Sequence, residues 1–352
     1  MLNAERLTLM QCILQQNGYD QRSALSVLPS AFSVIKYLAR MKKFLLVTIA
    51  LLPVLGALAQ RPAIDSLQLM KDIRTLSADK FEGRKTGTKG NRLAQFYIMD
   101  RFKQAGLQPF HGTYEYPFYF TQGDKKIMGT NLYGYIPGKT DNVIIITAHY
   151  DHLGISHQAN SADSIFNGAD DNASGSAALL SLIKYYQQHP PLHTLVFAAL
   201  DGEEEGLQGA KAFVQQLPVP AASVHMNLNM DMVSRNEKQE LYACGTYQNP
   251  DLKKFVTRAA DSSAIKLLTG HDRPEDGAQD WTKQSDHYEF HKKGIPFLYF
   301  GVEDHADYHR VGDAFEHIDP SFYYRAVQTI RMVLSAADTE LTGNKARSKV
   351  IY

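Results

Sequence analysis

The sequence predicts an α/β fold, a mostly parallel central sheet with helices on both faces. Three observations carry that expectation. Val143-Ile144-Ile145-Ile146-Thr147-Ala148 is a largely β-branched run of strand length, the composition of a strand buried on both faces. Strand patterns at 143–148, 194–200, 224–230 and 295–300 alternate with helical patterns at 173–188, 208–217, 251–261 and 285–292, and a last helix is expected at 320–337; such alternation builds parallel sheets through crossover helices. After Gln60 the sequence holds no internal repeat, low-complexity tract or Pro/Gly/Ser linker, so residues 60–352 read as one domain.

Ahead of the alternation, residues 65–78 and 87–106 carry apolar residues at helical spacing, and Gly106 stops the second helix. Residues 114–120 and 131–136 read as strands, followed by the turn residues Gly138 and Asp141. In sheets of this kind ligands bind beyond the carboxyl ends of the strands.

Composition narrows the function. With 44% hydrophobic and 21% charged residues the chain is globular rather than disordered. Its 37 basic and 37 acidic side chains cancel, so no overall positive field draws it to nucleic acid or an anionic membrane. Met41-Lys42-Lys43, the apolar run 44–58 and Ala57-Leu58-Ala59 before Gln60 have the basic, apolar and small-x-small parts of a secretory signal peptide. The apolar run is short for a membrane span. Residues 41–59 are therefore expected to be a cleaved leader, residues 1–40 a non-native or mis-annotated extension, and the mature protein a periplasmic or extracellular monomer without stable membrane association. The remaining 293 residues carry 31 basic against 35 acidic side chains and retain Cys244 alone, so no intrachain disulfide is available and a core must supply stability.

Acidic and imidazole groups recur just after the expected strands. His149 and Asp151 follow the first, Asp170-Asp171-Asn172 opens the helix after it, Glu203-Glu204-Glu205 follows the second, Asp231 the third, and Asp307-Tyr308-His309 the last. On a parallel sheet these loops share one edge. Five such side chains converging there would repel or be desolvated without cations. Two imidazoles with three carboxylates suit zinc, and five ligands serve two ions when one carboxylate bridges.

The series His149-x-Asp151, Gly168-Ala169-Asp170-Asp171-Asn172-Ala173-Ser174-Gly175, Glu203-Glu204-x-Gly206-Leu207, Asn229-Met230-Asp231-Met232 and Tyr308-His309 resembles the motifs of the family-28 zinc metallopeptidases, in family order. That family includes bacterial dizinc aminopeptidases, glutamate carboxypeptidases and glutaminyl cyclases, and the similarity spans nearly the whole mature chain, including Glu82-Gly83-Arg84. The resemblance implies the zinc-dependent exopeptidase (phosphorylase/hydrolase-like) architecture. It also implies two Zn²⁺ per chain, one held by His149 and Asp231 and the other by Glu204 and His309, with Asp171 bridging. Glu203 matches the general base, Tyr308 a position that can stabilise the oxyanion, and Asp151 the carboxylate that orients the ligand histidine.

His305 is the rival of His309; Tyr308 before His309 and Asp313 after it favour His309. Asp286 and His287 match a family segment, as buttress or helix cap. Trp281, Tyr288 and Phe290 read as pocket lining or core packing. The expected function is that of an exported aminopeptidase acting on peptides. The alternatives are a single-zinc glutaminyl cyclase and a non-catalytic binding protein on a peptidase scaffold.

Overall fold

Alternate residues of the central β-branched run serve two different cores. Ile144 and Ile146 pack into one face of the sheet and Val143 and Ile145 into the other, because successive side chains of a strand point to opposite faces. The computed structural model describes residues 64–156 and 164–341, all within one unit, Ala63–Tyr352. The expected leader and extension lie outside the described residues.

The chain begins with helices α1 (Ser66–Leu76) and α2 (Lys89–Ala105), then strands β1 (Gln108–Pro109), β2 (Glu115–Gln122), β3 (Lys125–Ile136) and β4 (Thr140–His149). A small hairpin of β5 (Gly154–Ile155) and β6 (Ile165–Phe166) precedes α3 (Gly175–Gln188). There follow β7 (His193–Leu200), α4 (Gln208–Gln215), β8 (Val224–Met230), β9 (Glu240–Cys244), α5 (Lys253–Ala260) and β10 (Lys266–Thr269). The described chain closes with α6 (His287–Lys292), β11 (Phe297–Gly301) and α7 (Pro320–Glu340). Among these described residues no helix is long and apolar enough to cross a membrane.

The sheet order is β1-β3-β7-β4-β8-β11-β9-β10, with β2 also paired to β3. Its centre, β7-β4-β8-β11, is parallel throughout, while β3 joins β7 and β9 joins β11 antiparallel. From β4 the chain goes first to β7 on one side and then to β8 on the other, so the strand order switches at the carboxyl end of β4. That crevice is where open α/β sheets bind ligands.

Helices α1, α2, α3, α5 and α7 contribute to the larger core, and Phe213 of α4 and Phe290 of α6 to the smaller one on the opposite face. Strands β9 and β10 were not anticipated from the sequence; each is short and extends the sheet beyond the strongly apolar centre. Helix α3 starts two residues later than expected, because residues 169–174 form an irregular turn with non-helical Asp171 and Asn172. Helix α6 also starts late, after a separate turn at Trp281–Lys283.

One buried charge pair ties α1 to α2. Asp72 accepts from Arg101 Nε at 2.9 Å, Arg101 Nη2 at 3.2 Å, Tyr97 Oη at 2.6 Å and Gln68 Nε2 at 2.8 Å. Removing one partner of such a pair strands the other charge. Asp72→Ala should therefore lower unfolding stability by about 3–5 kcal/mol, measured by urea unfolding beside the parent protein.

Candidate metal centre at the carboxyl edge of the sheet

The four parallel strands end together, and the residues just beyond them form the site. His149 is the last residue of β4, Glu203 and Glu204 lie in the turn after β7, and Asp231 follows β8. His309 lies in the long loop after β11, at φ 53°. Asp171 sits in the irregular turn ahead of α3, and its peptide bond to Asn172 is cis.

The structure brings His149, Asp171, Glu204, Asp231 and His309 into one cluster. His149 Nε2 is 3.2 Å from Asp231 Oδ1 and 3.5 Å from Asp171 Oδ1. His309 Nε2 is 3.1 Å from Asp171 Oδ2 and 3.3 Å from Glu204 Oε2. Asp171 thus turns one oxygen to each histidine. His305 lies instead 3.2 Å from Asp170 Oδ2, while Asp170 Oδ1 accepts from the Ser234 backbone N–H and hydroxyl.

These residues suit a cation. His149 Nε2 and Asp231 Oδ1 are buried without a hydrogen-bond partner, and they face each other. Ligand atoms on a tetrahedral zinc, at roughly 2.0–2.2 Å from the ion, stand roughly 3.3–3.6 Å apart, close to the spacings found. His149, Asp171 and Asp231 form one group of convergent donors, and His152, Asp171 and Glu204 another. His152 was not anticipated. It is fully buried, and its Nδ1 lies only 2.6 Å from Glu204 Oε1. Its signal was a second imidazole in His149-Tyr150-Asp151-His152, but past a strand end the alternation of side chains no longer tells where a residue points.

Backbone donors and neutral groups hold the cluster in place. Asp151 accepts from the N–H groups of Glu203 at 3.1 Å and Glu204 at 3.3 Å, which anchors that turn. Its carboxylate stands 3.6 Å from His149 Nδ1, beyond hydrogen-bond reach, while its own carbonyl oxygen stands 3.3 Å from that nitrogen. Asp313 accepts from the N–H groups of Asp170 and Asp171, both at 2.9 Å. Ser285 donates to Asp231 Oδ2 at 2.8 Å and accepts from Asn229 Nδ2. Behind them the buried Arg84 guanidinium donates to the carbonyls of Leu76, Tyr150, Asn167 and Gly168. Gly168, at φ 55°, lets the turn close, since a Cβ there would stand 2.2 Å from Asp171 O and 2.5 Å from the His152 ring.

Tyr308 stacks on His309 with ring centroids 4.0 Å apart. Burial holds its phenol well above the ordinary value, with the charges of Asp171, Asp231 and Glu204 adding to the effect. Asp286 and His287 are buried, and neither Asp286 oxygen has a partner. Trp281 packs with Cys244, Phe297 and Tyr299, and Phe290 lies in the smaller core; Tyr288 is partly buried.

Like charges and burial make the site acids reluctant to ionise. Burial lifts Glu203 well above the ordinary carboxylate range, against the pull of His149. It lifts Glu204 to about 7 and Asp286 to about 8. Asp171 is raised by burial and by Glu204. For Asp231 burial acts upward, but His149 and Ser285 prevail and the net shift is downward. In His149 and His309 burial opposes protonation and the facing carboxylates outweigh it. Burial takes His152 down to about 3, so its imidazole is neutral.

A sequence profile of peptidase family M28 matches residues 131–334. A relative described as a "probable leucine aminopeptidase" from Arthroderma benhamiae is 28% identical over 204 residues, covering 55% of this chain and 54% of its own. The chain spans about half the length of the curated relatives it matches. Two solved structures from Bacteroides thetaiotaomicron, a leucine aminopeptidase precursor and a glutaminyl cyclase bound to N-acetylhistamine, share its fold. Each gives a TM-score of 0.63 at 18% identity and covers 78% of this chain, with 98% and 99% of their own chains covered.

The acid cluster has a consequence for stability in chelator. Folded Glu204 and Asp313 titrate at about 7 and Asp286 at about 8, against unfolded values of 4.5, 3.8 and 3.8. Between those limits the folded state keeps protons that the unfolded state has lost, so stability falls as pH rises. The raised His149 and His309 act in the same direction above 6.5, while the lowered His152 acts only below it. The unfolding midpoint in chelator should therefore drop between about pH 6.5 and pH 8. Calorimetry at several pH values checks this, and a midpoint that is flat or rises would contradict it.

Proposed function

The chain belongs to peptidase family M28, and from that membership we propose that it is a zinc-dependent aminopeptidase. Its two zinc positions would share Asp171. One observation carries this reading: Asp171 divides its two oxygens between His149, which also faces Asp231, and His309, which also faces Glu204. This donor set would serve two zinc positions with one carboxylate in common.

Zinc bound there supplies Lewis-acid polarisation of a scissile carbonyl and acidifies a water near neutral pH. Glu203 is the general base. Asp151 holds its backbone N–H, its carboxylate feels the charges of His149, Glu204 and Asp231, and its raised proton affinity suits taking a proton from water and passing it to the leaving amine. Tyr308 keeps its phenolic proton and is positioned beside His309 to donate to an oxyanion. His149, Asp231, Glu204 and His309 are the remaining ligands. Peptides with a free N-terminus are the substrates, and the filled base and ligand positions favour catalysis over a binding role. The basic, apolar and small-x-small parts of residues 41–59 support export of the enzyme.

Zinc analysis of purified residues 60–352 should find two ions per chain; one ion would favour the cyclase reading. Glu203→Gln should retain that zinc while kcat on an aminoacyl anilide falls by about 10²–10⁴-fold. Near-normal turnover would remove Glu203 as the base.

A further inference from the structure

His152 lies outside the five ligands, yet it makes the shortest contact in the cluster. Its Nδ1 is 2.6 Å from Glu204 Oε1 and 3.7 Å from Asp171 Oδ2. Two ligand atoms on a tetrahedral zinc cannot approach so closely, since their spacing is roughly 3.3–3.6 Å. The 2.6 Å contact has the length of a charge-assisted hydrogen bond.

The remaining ring nitrogen fixes the tautomer. His152 Nε2 is buried without a partner. A proton there would leave a buried donor unpaired and would turn the Nδ1 lone pair toward a carboxylate oxygen. With the proton on Nδ1, that oxygen receives a hydrogen bond and only a weak acceptor remains unused. The ring is packed edge-on against Phe166 and His309, and Gly168 lies against its other side, where a Cβ would stand 2.5 Å from it.

We propose that His152 is a positioning residue for the zinc site: its Nδ1–H holds Glu204 Oε1, so that Glu204 offers Oε2 alone to the metal. The two oxygens of Glu204 then have separate tasks, since Oε2 is the one that faces His309, at 3.3 Å. A carboxylate restricted to one oxygen leaves a coordination position open for substrate. This inference rests on the zinc-peptidase reading above and adds a residue that holds one of its ligands.

Two substitutions test it. His152→Phe keeps a ring of similar size against Phe166 and His309 but removes the donor, whereas His152→Asn keeps an amide donor near the Nδ1 position. Zinc retained per chain is measured across a series of competing chelator concentrations, beside thermal unfolding of the metal-free proteins. In His152→Phe one of the two zincs should bind about 10–100-fold more weakly, the other as in the parent. His152→Asn should recover most of the loss, while the metal-free midpoints, lowered in His152→Phe by loss of the buried Glu204 contact, read folding apart from zinc affinity. Parent-like affinity for both zincs in His152→Phe would overturn the proposal. So would a loss that His152→Asn fails to recover, which would make His152 a ligand or a packing residue. A parent protein that binds no zinc would overturn the peptidase reading itself, and this proposal with it.

Discussion

Too many acids share one edge of the sheet, and the surrounding structure is organised around keeping them there. Four parallel strands terminate side by side, and beyond them lie the buried Asp151, Asp171 and Asp231 and the partly buried Glu203 and Glu204. The buried Arg84 charge is felt by Asp171, Asp151 and Glu204, yet that group spends its hydrogen bonds on backbone carbonyls. His149 and His309 face three of the acids, which are otherwise held by neutral donors that position a carboxylate without cancelling its charge. A site built in this way is incomplete without cations.

The anchoring is directional. Ser285 takes Oδ2 of Asp231 and leaves Oδ1 beside His149; His152 takes Oε1 of Glu204 and leaves Oε2 beside His309. Asp313 grips the backbone of Asp171 rather than its side chain, so both Asp171 oxygens stay available. The direction of each candidate donor is thereby set by the protein's own hydrogen bonds, as a metal site on rigid elements requires.

The two cores make such an edge tolerable. Helices α1, α2, α3, α5 and α7 and the strand residues beneath them bury the larger apolar cluster, which reaches up to the site through Ala148, Tyr150, Ala169, Met230 and Met232, and the smaller cluster supports the opposite face. Asn172 links the end of β8 to the start of α3, accepting from Gly175 N–H and donating to the Met230 carbonyl. Packing free energy thus accumulates in the sheet while the site occupies its rim, where backbone groups are free to serve as anchors.

Much of this was legible in the sequence. The β-branched run at 143–148 and its alternation with helices determined the parallel centre, because a strand covered on both faces admits few polar residues. The placement of His149, Asp171, Glu204 and Asp231 after successive strands determined that they would share an edge. Strands β9 and β10 were not legible, since short flanking strands carry no pattern that separates them from loops. Nor was the position of His152, or the attachment of Asp151 to the Glu203–Glu204 turn and of His305 to Asp170. Sequence alone determined which chemical groups reach the rim of the sheet; tertiary structure decided which atom of each group faces which partner. Which segments become strands and helices follows from local hydrophobic pattern, whereas side-chain direction in loops is set by hydrogen bonds between residues distant in the chain.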